Sequence, residues 1–206
     1  MRQLTVALLL LFVSCPAFAA ILNPWLDGTD QVRFAKYVEI CRKVEVVVNS
    51  MEFKDRVVAM KFTTTKRTGH EVIAFMDVGS ETLTPDPNFM WDWGVGFYYK
   101  KGTRVIGWTN GKIPTVWINK AKFDYMSDPE IAANIVHEYL HKLGFDHASA
   151  KDHKSVPYAV GYLVRELMKS TPAPVPEPVE PNPAPEPTPA PRPVCGWWCR
   201  LTSIFR

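Results

Sequence analysis

The chain has little net charge. Lysine and arginine number 24 against 21 aspartates and glutamates, so 206 residues carry only +3. No basic run is long enough to track a phosphate backbone, and nucleic acid is not an expected partner. Cysteine is scarce, with four in all, which excludes a small scaffold stapled by disulfides. A long apolar run is also missing. The greasiest stretch, Leu4 to Val13, would cover about 15 Å as a helix, half of a bilayer core, so a membrane-spanning helix is not expected there. Histidine occurs only five times, and that scarcity makes its placement informative.

What is present divides the chain into four parts. Residues 1–19 run from Met1-Arg2 through the apolar stretch to Ala17-Phe18-Ala19. Positive charge, short apolar core and A-x-A site are the order of a secretory signal peptide. The expected destination is outside the cytoplasm: secreted, periplasmic or cell surface. Cys15 leaves lipoprotein anchoring as the lesser alternative. Residues 171–194 hold eleven of the eighteen prolines and read as an extended polyproline II linker. Residues 195–206 carry Trp197, Trp198, Ile204 and Phe205 beside Arg200 and Arg206. That composition fits contact with a membrane or cell-wall surface, against the plainer reading of an end with no partner. Cys195 and Cys199 are the expected bridge if one forms. Cys41 lies in line with Phe34, Tyr37, Val38, Val44 and Val48 on a helix face and is expected to be a buried thiol.

Residues 20–170 form the expected folded domain, of α+β class. Helical periodicity runs from Asp30 to Val48. Strands are expected at 56–63 and 71–77 around a Lys66-Arg67-Thr68-Gly69 turn, then at 94–99, 103–109 and 115–119, with Lys101-Gly102 and Asn110-Gly111 as hairpin turns. Ser127-Asp128-Pro129-Glu130 is a capping box that starts a helix running to Leu143 and stopping at Gly144. A last helix spans 158–169.

The capped helix carries HEYLHKLGFDH, which places His137, Glu138, His141, Gly144 and His147 within eleven residues. His137 and His141 are one helical turn apart, so both rings project from one face and can grip one ion. Gly144 lets the chain reverse and return His147 to the same point. Three imidazoles leave the fourth zinc position open, which distinguishes a catalytic Zn2+ from a structural one. Glu138 can reach a zinc-bound water and act as general base in amide hydrolysis.

These five residues match H-E-x-x-H-x-x-G-x-x-H, and here the sequence resembles the metzincin clan of zinc metallopeptidases. The resemblance covers roughly Asp30 to Lys169 and is specific only in the motif. It implies a zincin-like fold: a mixed twisted sheet packed on helices that include the zinc-binding one, a small C-terminal subdomain, and a protein or peptide substrate bound in extended form along an edge strand. The clan's methionine-containing turn is not matched. Its counterpart would be Ser155-Val156-Pro157-Tyr158, with proline in place of methionine. The resemblance makes Tyr158 a candidate catalytic residue.

Asp146 is a candidate to orient a ligand imidazole, or a solvated loop residue. His70 and His153 receive no role. Phe89 to Trp93 reads as a loop that lines a cleft or packs in the core. The leading expectation is therefore an exported zinc endopeptidase. A hydrolase of peptidoglycan cross-links and a surface-binding module that keeps zinc with little turnover are the alternatives.

Overall fold

The computed structural model describes residues 20–84 and 87–170. The signal-peptide, linker and tail assignments and the Cys195–Cys199 pairing lie outside the described residues.

The first strand, β1 (Ile21–Leu26), was not anticipated from the sequence. Pro24 argues against a central strand, and the sheet order places β1 at an edge, where a missing N–H is tolerated. Helix α1 (Gln31–Val48) follows with Asp30 as its N-cap, and buries Tyr37, Ile40, Cys41, Val44, Val47 and Val48. Their three- and four-residue spacing makes one apolar stripe, as expected. Cys41 is a free, buried thiol.

The next two elements are helices, α2 (Met51–Val58) and α3 (Gly69–Val78), and not the strands expected at 56–63 and 71–77. Local capping outweighs the β-branched composition. Ser50 Oγ accepts from the N–H of Phe53 at 3.2 Å, and Thr68 with Glu71 closes a complete capping box. The buried pairs Phe53/Val57 and Val72/Met76 are each four residues apart, which is helical and not strand periodicity.

Strand β2 (Met90–Tyr98) begins before the expected 94–99 and absorbs the aromatic segment, whose Trp91 and Trp93 are fully buried. Of the two readings of that segment, its tryptophans follow the core one. Strand β3 is two residues, Gly107–Trp108, and β4 is Thr115–Asn119. The sheet order is β1-β2-β4-β3. The first two pairings are parallel and β3 with β4 is antiparallel. The hairpin at Asn110-Gly111 therefore forms, while the one expected at Lys101-Gly102 does not, because β2 pairs with β1 and β4. The result is an α+β fold on a mixed four-stranded sheet.

After the short α4 (Lys120–Phe123) come α5 (Asp128–Lys142) and α6 (Val156–Ser170). Glu130 accepts from the Ser127 N–H at 2.9 Å, so the expected cap starts α5. Gly144 takes the left-handed conformation, φ +85°, that lets the chain leave the helix. The expected turn at Ser155–Tyr158 is instead the start of α6. Ser155 O accepts from the N–H of Ala159 at 2.9 Å, and Pro157 sits in the first turn, where no N–H is needed.

The core fastens α5 to the sheet. The Tyr139 ring stacks on Trp91 with centroids 4.1 Å apart, and Tyr139 donates to Glu81 Oε1 at 2.6 Å. Trp93 Nε1 donates to Tyr37 Oη at 3.1 Å, which ties β2 to α1. Burying such side chains contributes about 1.5–3 kcal/mol each. Tyr139 thus faces the core while its neighbours Glu138 and His137 face the other way. Among the described residues no helix is long and apolar enough to cross a membrane.

Candidate metal centre

One face of α5 presents Glu130, Ala133, Asn134, His137, Glu138 and His141 to a cleft of 650 Å³. Residues 104–109, which include β3, form one wall, and α6 forms another through Pro157, Tyr158, Gly161, Tyr162 and Arg165. The helices α5 and α6 approach closely. A Cβ at Gly161 would lie 2.8 Å from the Ala133 carbonyl oxygen and 3.6 Å from His137 Cβ. Gly161→Val is therefore expected to push α6 off α5, lowering Tm and weakening metal binding together. Thermal unfolding with and without zinc checks this, and unchanged affinity would show that the close approach does not shape the site.

His137, His141 and His147 converge. Their ligand nitrogens all lie within 4.8 Å of one another, close enough to hold one metal ion. His141 Nδ1 is 2.7 Å from the Phe145 carbonyl oxygen. The Pro157 backbone, which can only accept, lies near His137 and favours a proton on it. His141 Nδ1 gives its proton to the Phe145 carbonyl, so His141 Nε2 carries a lone pair. That Nε2 faces His137 Nε2 at 3.2 Å, and two neutral rings so placed can turn both Nε2 lone pairs to one cation. Ligands on a tetrahedral zinc, with bonds of 2.0–2.1 Å, are about 3.3 Å apart, so the spacing fits. Nδ1 of His147 is buried without a hydrogen-bond partner, another polar atom that a metal site can account for. The residues present fit a divalent cation that favours imidazole.

Burial, then the neighbouring His141 and His147 rings, pushes His137 down to about 3, and burial lowers His141 as well. Neutral imidazoles are the form that binds metal. Glu138 is 4% exposed and its carboxyl is pushed up to about 8 by burial, with the Asn134 amide opposing. Asn134 Nδ2 donates to Glu138 Oε1 at 3.2 Å, which fixes the carboxylate beside the histidines.

Tyr158 packs its ring 4.5 Å from that of His137 and 4.8 Å from that of His147. Asp146 Oδ1 is 3.3 Å from His141 Nδ1, with a side chain 91% exposed. The closer Phe145 carbonyl orients that ring, and Asp146 adds a screened charge. His153, given no role from the sequence, lies 3.2 Å from Tyr162 Oη and 6.0 Å in ring distance from Tyr158.

No protein-family model matches this chain, and no curated protein or solved structure is significantly similar to it.

Sequence reasoning missed Tyr162, Arg165 and Arg104 as cleft residues. Tyr158, Tyr162 and Arg165 are spaced by four and three residues, so the expected last helix already put them on one face. Arg104 carried no comparable signal, because its segment depends on where β3 ends.

Proposed function

We propose that the chain is an exported zinc-dependent endopeptidase with a zincin-like fold, related in plan to the metzincins. The observation that carries this reading is the convergence of three imidazoles within 4.8 Å, two of them with Nε2 atoms 3.2 Å apart, with the buried Glu138 beside them, on the floor of an open cleft. His137, His141 and His147 would hold the zinc, which would supply Lewis acidity for the scissile carbonyl and for a water near neutral pH.

The chain's own groups do the rest. Glu138 accepts a proton from the attacking water and passes it to the departing amine. Its burial keeps its basicity high, and its bond to Asn134 keeps its position fixed. Tyr158, against two of the imidazole rings, is placed to donate a hydrogen bond to the carbonyl oxygen as negative charge develops there. Among the described residues strand β3 pairs with β4 alone, and its other edge can receive an extended peptide by backbone hydrogen bonding. Export and surface contact through the aromatic tail belong to the same proposal.

The test is incubation of the zinc-loaded chain with casein and, separately, with purified sacculi, followed by analysis of the released fragments. Release of peptides from casein supports the endopeptidase reading. Solubilisation of sacculi alone would redirect it to wall cross-links, and neither product would overturn hydrolysis.

A further inference from the structure

The cleft does not end at the histidines. It continues along α5 toward that helix's N-terminus into a second cavity of 280 Å³, lined by Arg104, Ile106, Lys122, Met126, Ala133 and Arg165, with Glu130 at its rim. Five of these residues, including Arg104, Arg165 and Glu130, line the main cleft too, so the two spaces are continuous. We propose that this basic pocket is a subsite for a carboxylate carried by the substrate, and that it sets the substrate class as acidic peptides. The inference rests on the reading of the histidine site as a peptidase.

Three cations face one carboxylate in the pocket, Glu130, whose charge Arg165 also feels. Glu130 Oε2 accepts from the N–H and the hydroxyl of Ser127 at 2.9 and 2.7 Å. Among the described residues, Arg104, Lys122 and Arg165 take part in no ion pair. Lys122 also senses Asp124, but both oxygens of that carboxylate are held by Arg33 at 2.7 Å. Among the described residues the pocket thus keeps more positive than negative charge.

Arg165 is pre-oriented. Its guanidinium lies 4.8 Å from the Tyr162 ring centroid, a cation–π contact that narrows the rotamers it must give up on binding. A planar guanidinium recognises a carboxylate through two parallel hydrogen bonds. Ile106, Met126 and Ala133 supply apolar wall for the stem that carries the acid.

The spacing decides which part of a substrate reaches the pocket. Glu130 precedes His137 by seven residues on α5, about 10 Å at 1.5 Å per residue. An extended peptide covers that distance in roughly three residues at 3.3 Å each. The carboxylate therefore belongs about three residues from the bond that is cut. An acidic side chain of a protein and a free carboxylate of a wall stem peptide share this chemistry.

The experiment measures binding by fluorescence anisotropy on the zinc-loaded full chain carrying Glu138→Gln, so that probes stay intact. One arm uses labelled hexapeptides that differ only in Glu against Gln. The other uses labelled wall stem peptides with free against amidated carboxylates. In at least one arm the acid is expected to bind about tenfold more tightly than its amide, the preference shrinking as salt rises. The arm that shows it identifies the source. Arg104→Gln with Arg165→Gln should bring the ratio to about one, and Lys122→Gln should lower it partway. Arg104 is exposed, so Arg104→Gln alone is a variant whose fold is not at risk, and it should also reduce the ratio. Equal affinity for acid and amide, absence of binding in both arms, or a preference that survives the double substitution overturns the proposal. Hydrolysis by the wild type is measured separately: a preference without hydrolysis removes the peptidase reading and keeps the pocket, and hydrolysis without a preference does the reverse.

Discussion

Glu138→Gln is expected to lower the rate of peptide hydrolysis by about 10²–10⁴-fold while one zinc per chain is retained. The substitution keeps the shape of the side chain and its Oε1 acceptor for Asn134, 3.2 Å away. What it removes is the proton acceptor. The three histidines proposed to hold the metal are untouched, so metal content and rate should separate cleanly. Metal analysis of the purified variant, with initial rates on a peptide substrate, checks this. A rate near that of the wild type would remove Glu138 as the base.

The same variant has a second expected signature in the metal-free protein. Burial pushes the Glu138 carboxyl up to about 8, above the usual carboxylate range near 4.3. An acid whose folded-state pKa is raised adds stability that is complete below the unfolded value and is lost as pH rises through 8. Glutamine has no such dependence. Under chelation, the Tm advantage of Glu138→Gln over wild type should therefore grow from pH 5 to pH 8 and level off above it.

His147→Ala is expected to lose the metal. His137 and His141 alone form a two-point site, and the third ligand comes from a loop after Gly144, outside the helix. For the wild type, zinc at 1,000 times its dissociation constant adds about 4.1 kcal/mol to folding stability. For a domain of this size that is a rise in Tm of roughly 8–16 °C. In His147→Ala the rise should largely disappear, and the metal content should fall toward zero after dialysis against a weak chelator. Differential scanning calorimetry with and without zinc decides it. An undiminished rise would mean that His147 does not share the ion.

Much of the site is legible in the sequence because it is local. The four-residue step from His137 to His141 is a property of any helix, the Ser127 box starts that helix, and Gly144 ends it. The same reasoning, applied evenly, would have found α3. Thr68 and Glu71 form the same kind of box as Ser127 and Glu130, yet the β-branched residues nearby drew the reading toward strands. Strand β1 was hidden by Pro24, whose penalty vanishes at a sheet edge, a fact about neighbours that the chain does not carry locally. Pairing suffered for the same reason. A Lys101-Gly102 turn suits a hairpin, but β2 lies between parallel β1 and β4, and its Trp91 and Trp93 pack on Tyr139 and Tyr37 of the helices.

Read alone, the chain settles the spacing of three imidazoles and a carboxylate on and just beyond one capped helix, since helical geometry follows from short-range sterics and capping. The fold settles what surrounds them. That Tyr158 at the start of α6 packs on His137 and His147, that Gly161 brings α6 against α5, and that Arg104, Lys122 and Arg165 meet around one cavity all depend on segments distant along the chain. Such meetings are chosen by packing of the shared core, a cooperative property that no single stretch of residues encodes.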